Sequence, residues 1–314
     1  MRTRPLFALL AALACSFTAG PAHACARVFV ASYGNDSNPC TFLSPCKTFQ
    51  QAVNVVDAGG EVTAIDSAGF GPILITKTVT ITSPNGVEAG IVPVSGGNSI
   101  TINAPLATVT LSGLTIDGGG AGANGILVSS GGALVIQDCV IRNMTGDGIH
   151  FVSNFDSSLS VANTFVGNNG GYGIFVQPVG SASVSAVFER VRAQYNGPNG
   201  YGIALDASLT AGSVNGTATD TVSSNNGGGF LVQGSPSNVN NLMVMRSVAA
   251  NNHTAVQGDT VNSAKSSTVF ISESTITGNF LACNGVGKSY GDNTIKYNVE
   301  DFCNAGDFSL TGKE

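Results

Sequence analysis

From residue 123 onward, apolar residues recur in short alternating runs at nearly regular intervals. ANGILV (123–128), GDGIHF (146–151), GYGIFV (171–176), GYGIAL (200–205), GGGFLV (227–232) and HTAVQG (253–258) align on Gly125, Gly148, Gly173, Gly202 and Gly229. Ala255 takes that place in the last copy, and the steps run from 23 to 29 residues. Successive side chains of a strand point to opposite faces. The first column after the glycine (Ile126, Ile149, Ile174, Ile203, Phe230, Val256) and the third (Val128, Phe151, Val176, Leu205, Val232, Gly258) therefore face a core. The second column (Leu127, His150, Phe175, Ala204, Leu231, Gln257) and the fourth (Ser129, Val152, Gln177, Asp206, Gln233, Asp259) are expected to point outward. A second mark recurs at Asn143, Asn168, Asn196, Asn225, Asn251 and Asn279.

A period of this length built from short β segments fits one coil of a parallel β-helix, since helical repeats would show a 3.6-residue period. Stacked coils lie about 4.8 Å apart, so like residues form ladders along the axis. Asparagine tolerates left-handed turns and hydrogen-bonds to backbone, which gives the Asn marks a purely structural role. GEVTAIDS, ILITKTVTITS and SITINAPLATVTLSGLTI, between 59 and 116, supply earlier coils. Phe49, Ala52, Val53 and Val56 are spaced as one face of a short helix after Pro45. Such a helix would cover the first coil, whose open edge would otherwise pair with other chains. The expected organisation is a signal peptide over 1–24, then a strand, disulfide loop and capping helix over 25–58. β-Helix coils follow over 59–282, and a C-terminal cap over 283–314.

These repeats, with the opening segment VFVASYGNDSNPCTFLSPCKTFQQAV (28–53), resemble the right-handed parallel β-helix proteins of the pectin-lyase-like superfamily. The resemblance covers essentially the whole mature chain. It implies an all-β, single-stranded right-handed solenoid with a short N-terminal capping helix. It does not fix an activity, because the superfamily includes lyases, hydrolases, esterases, epimerases, tailspikes and adhesins.

Composition adds compartment and partner class. The chain holds 41 glycines, no tryptophan and 10% charged residues, a mixture suited to strands and tight turns. MRTRPLFALLAALACSFTAGPAHA has a basic start, a short apolar run and an Ala-x-Ala ending, the pattern of a secretory signal cleaved after Ala24. A buried N-terminal helix and lipidation at Cys15 are the other readings, the latter with a poor lipobox. The chain is expected to be secreted or periplasmic. The formal charge is −6, and removal of Arg2 and Arg4 makes it −8, which disfavours nucleic acid and anionic membranes. Nothing after the signal is apolar enough to span a membrane. Cleavage leaves Cys25, Cys40, Cys46, Cys139, Cys283 and Cys303, and six cysteines allow 15 pairings. Local closure favours Cys40–Cys46 and Cys283–Cys303, with Cys25–Cys139 as the remainder. No CxxC and no metal-spaced histidines are present, so no metal site or cofactor is expected.

The candidate chemistry is sparse. RNMTGDGIHF (142–151) places Asp147 three residues before His150, the weak catalytic candidates together with Asp206. Tyr172 and Tyr201 fall on successive coils with Phe175 close by, and the three are candidates for stacking on sugar rings, or for packing beneath a turn. Asp206 and Asp259 share a column two coils apart, about 10 Å by strand spacing, which is poor for a glycosidase pair. A β-elimination lyase would need a cationic base and calcium or another cation. Arg142, Arg190, Arg192 and Arg246 lie before the Asn turn, outside the outward columns. The sequence leaves catalysis open and favours an exported, non-catalytic module with extracellular polysaccharide as its candidate partner. The alternative is a polysaccharide lyase or epimerase, and less so a glycoside hydrolase, acting on an acidic extracellular polymer, with calcium entering only under the lyase reading. Oligomeric state is not readable.

Overall fold

The computed structural model describes residues 26–234, 238–258, 267–301 and 308–310. The expected signal segment, Cys25, Asp259 and Cys303 lie outside them. The chain winds as a parallel solenoid in which each typical coil contributes three strands, such as Ile174–Val176, Val184–Glu189 and Arg192–Gln194. Among the described residues, the first two strands of the coils build a 19-stranded sheet and the third a 10-stranded one. Every ladder along the repeats is parallel and in the predicted register: Ile149 opposes Ile126 and Ile174, and Ile203 opposes Phe230. Ile126, Ile149, Ile174, Ile203, Phe230 and Val256 are fully buried, so the alternation within each coil sets the core.

The two corners flanking the third strand are made by single residues in the left-handed region, each followed by an inward-facing residue that is small or polar in most coils and Met144 in one. At one corner the left-handed residues are Asn143, Asn168, Tyr195, Asn225, Asn251 and Gly278. The residue after each points inward, and Asn169, Asn196, Asn226, Asn252 and Asn279 are buried and linked amide to amide at 2.9, 3.0, 3.2 and 3.1 Å. The sequence marks therefore mix two roles. Asn143, Asn168, Asn225 and Asn251 supply the turn conformation, whereas Asn196 and Asn279 belong to the internal ladder. At the other corner the left-handed residues are Asp138, Asn163, Arg190, Asp220, Arg246 and Glu273. Behind them stand Cys139, Thr164, Val191, Thr221, Ser247 and Ser274, and the hydroxyls of Thr164, Thr221, Ser247 and Ser274 accept from the backbone of the preceding coil.

That column corrects one expected disulfide. Cys139 is a free, buried thiol, held among small residues at an inner corner, and burial pushes it up to about 11. Cys40–Cys46 is formed as expected. Cys283 is disulfide-bonded, while its expected partner Cys303 is outside the described residues.

The N-terminal lid forms as its spacing predicts. Phe49–Val55 is a helix with Thr48 as N-cap, burying Phe49, Ala52 and Val53. Phe49 packs on Phe70 with ring centroids 5.0 Å apart. Gln50 accepts from the Leu74 N–H at 2.7 Å and donates to its carbonyl at 3.3 Å, so one side-chain amide stands in for a neighbouring strand at Ile73–Ile75. At the far end, where a cap is expected from residue 283, strand pairing continues through residue 296. Leu281–Asn284, Gly287–Ser289 and Thr294–Lys296 pair with the preceding coil strand for strand, as a regular rung. Asn298 continues the amide ladder, 2.9 Å from Asn279, so the periodicity runs past the disulfide cysteine.

Candidate functional site

The parallel register puts the outward residues into one file. His150 opposes Phe175, Phe175 opposes Ala204, Ala204 opposes Leu231, and Leu231 opposes Gln257. Beside it runs the column preceding the repeat glycines, where Tyr201 opposes Gly228 and Gly228 opposes Thr254. The expectation of an open outer column fails in the middle, because Ala204, Leu231 and Asp206 are buried. Ala204 is small and sits between the larger Phe175 and Leu231. The Asp206 carboxylate is tucked in by two donors, Gln177 Nε2 at 2.9 Å and the Ser208 N–H at 2.8 Å.

The aromatic candidates come together, and they come together on each other. Tyr172 and Phe175 are stacked, centroids 4.4 Å apart and 12° from parallel. Tyr201 lies 6.3 Å from Tyr172 at 15°, and His150 lies 5.2 Å from Phe175. Tyr172 and Phe175 therefore use one face each on the other. Tyr201 leans across Gly228, where any Cβ would collide with its ring, and its hydroxyl is hydrogen-bonded to Gln257. Burial pushes the Tyr201 phenol up to about 12. Tyr172 is raised too, by burial first and then by the nearby Asp147 and Asp206 carboxylates.

Asp147 and His150 form the predicted pair. His150 Nδ1 is 3.1 Å from Asp147 Oδ2, which places the proton of the neutral ring on Nδ1. The other carboxylate oxygen accepts from the Tyr172 N–H at 2.7 Å. His150 Nε2 is buried without a hydrogen-bond partner. Asp147 is thus committed to holding the ring and the next coil.

The arginines are elsewhere. Arg190 and Arg246 occupy left-handed corner positions between the second and third strands, not the approach to the Asn turn. Arg142 donates to Asp117 at 2.8 Å, and Arg246 reaches both oxygens of Asp220 at 3.0 Å. Arg190 donates to Asn163 at 2.6 Å, and the Arg192 guanidinium sits over the Phe165 ring. None reaches the His150 file, and each is bound in a ladder between coils.

Sequence reasoning overlooked His253 and Phe280, whose rings stack 5.0 Å apart at 23°. They follow Asn252 and Asn279 directly, so aligning the copies on the inner Asn ladder instead of the glycine would have found them.

A family model described as a domain of unknown function (DUF4957) matches residues 63–187. No curated protein matches. Among solved structures, an alginate lyase from Paenibacillus sp. str. FPU-7 aligns with TM-score 0.60 and 18% identity, over 91% of this chain and 98% of that one. The chain has the pectin-lyase-like parallel β-helix fold. The pectate lyase Pel9A aligns on the same β-helix with TM-score 0.58 and 17% identity, over 91% of this chain and 76% of its own. A XylC–xylose complex follows with TM-score 0.54 and 10% identity, covering 82% and 69%. Identities this low make the likeness one of β-helix architecture. Among the described residues no helix is long and apolar enough to cross a membrane, and the Cys40–Cys46 bridge fits an oxidising compartment.

Proposed function

We propose that the protein binds a linear polysaccharide along the His150–Tyr201 face without cleaving it. One observation carries this reading. Side chains from three successive coils, His150, then Phe175 with Tyr172, then Tyr201, make a file parallel to the solenoid axis, and His253 and Phe280 form a second stacked pair two and three coils beyond Tyr201. At about 4.8 Å per coil, such a file matches a chain polymer better than a compact metabolite. Two further points support binding over catalysis. The Asp147 and Asp206 carboxylates are each held by two scaffold partners, and the arginines are tied into inter-coil ladders. The polysaccharide-acting names of the structural neighbours agree with the substrate class.

The test is affinity electrophoresis against neutral and uronate-containing polymers, run beside assays for unsaturated and reducing ends. Retardation without product is expected. The Tyr172→Ala/Phe175→Ala double variant is expected to weaken retention about tenfold, about 1.4 kcal/mol, and unchanged retention would sink the proposal. One observation favours a second reading, a lyase or epimerase. The partnerless Nε2 of His150, backed by Asp147, is the arrangement of a general base. Unsaturated product lost in His150→Ala would establish it.

A further inference from the structure

We infer that the pocket between Tyr201 and His253 is a binding site for one uncharged pyranose unit of the polymer. The inference rests on the polysaccharide-binding reading above and assigns that reading a second, separate contact. The pocket measures about 280 Å³ and is lined by Pro198, Asn199, Tyr201, Gly227, His253 and Thr254. It arises from a step between coils. The segment between ladder Asn196 and Gly202 is longer than its counterpart between Asn226 and Gly229, so exposed Pro198 and Asn199 stand as a lip above a bare glycine floor. The floor is bare of necessity: a Cβ on Gly227 would meet the Pro198 carbonyl, and one on Gly228 the Tyr201 ring. His253 forms the opposite wall, its ring braced from behind by Phe280 at 5.0 Å.

The chemistry of the lining selects the ligand. An aromatic ring, an amide, a hydroxyl and an imidazole present both donors and acceptors, as a sugar's hydroxyl groups require. The lining has no carboxylate, ammonium or guanidinium. A uronate seated there would lose hydration without gaining a countercharge, in a chain whose formal charge is already −6. Among the described residues the Asn199 side chain has no hydrogen-bond partner, and the one side-chain polar contact of the His253 ring is with Thr254 Oγ1, at 3.4 Å, which leaves polar atoms of both to engage hydroxyls.

The two described histidines make a paired reporter, His150 on the ring file and His253 in the pocket. In ¹H–¹³C spectra of the imidazole Cε1–H groups, assigned with His253→Gln, the protein is titrated with xylohexaose, cellohexaose and hexagalacturonate. The expected result is a saturable shift of the His253 signal with a neutral hexasaccharide, weakened at least tenfold in Asn199→Ala. A shift at His150 alone would overturn the pocket and leave the binding function standing. A shift at His253 only with hexagalacturonate would overturn the uncharged class. No shift at either histidine with any sugar would remove both proposals, and so would an affinity untouched by Asn199→Ala remove this one.

Discussion

At the scale of single residues, the corner pairs separate conformation from hydrogen bonding. Asn225 and Asn226 are adjacent asparagines with opposite duties. Asn225 sits at φ 57°, where glycine is at ease and a Cβ costs roughly 1 kcal/mol. Asn226 is buried, accepts from the Asn196 backbone and amide at 2.9 and 3.0 Å, and donates to the Ala193 carbonyl at 3.0 Å. Asn226→Ala is therefore expected to cost about 3 kcal/mol, since each stranded buried partner costs roughly 1–3 kcal/mol, while Asn225→Gly is nearly neutral. Urea unfolding of the two variants measures the difference, and equal losses would contradict the division of roles. The sequence displayed the asparagines but not this division, because both duties select the same residue type. Tyr201 offers a pH test. Its phenol rises from an ordinary 10.0 to about 12 because burial disfavours the anion. A raised acid pKa contributes stability fully present below pH 10 and lost as pH climbs toward 12. The wild type should lose urea stability across that window faster than Tyr201→Phe, which has no phenol to titrate.

At the scale of elements, the coil strands and their facing were legible because a period-2 alternation repeated in register leaves one solution. The outer surface was less legible. The alternation placed Asp206 and Leu231 outward, and cross-coil hydrogen bonds and neighbouring bulk then buried them. That the rings of Tyr172 and Phe175 would stack on one another was invisible as well, because column position fixes where a side chain starts and not where its ring ends. The second corner escaped notice because Asp138, Asn163, Arg190, Asp220, Arg246 and Glu273 share a conformation and no chemistry. The capping helix was readable from four apolar residues, and its importance can be tested. Phe49 is fully buried against Phe70, so Phe49→Ala should cost about 3–5 kcal/mol. It should also loosen the lid over the first rung, Arg27–Val30. An open parallel edge recruits other chains, and light scattering should then show concentration-dependent association. A variant that is destabilised yet strictly unchanged in mass would mean the helix packs without guarding the edge.

At the scale of the whole molecule, charge and shape act together on any polymer that approaches. The full chain carries 13 basic and 19 acidic side chains, Arg2 and Arg4 lie in the expected signal segment, and the arginines of the corner ladders already have acidic or amide partners. An anionic polymer arriving at the His150–Tyr201 face meets Asp147, Asp206 and a repelling net field, with no cationic stripe to release counterions. A neutral polymer meets no such barrier and binds through ring contacts and hydrogen bonds, which salt barely screens. The two cases have opposite salt signatures. Moving from about 20 mM to about 300 mM NaCl shortens the Debye length from roughly 20 Å to under 10 Å, which should leave retention on a neutral polymer unchanged. Any retention on polygalacturonate should strengthen as the repulsion is screened. Affinity electrophoresis at the two salt concentrations measures both. Retention on the anionic polymer that instead falls steeply with salt would reveal a cationic docking surface, and would move the binding face from the aromatic file to the arginine-bearing corners.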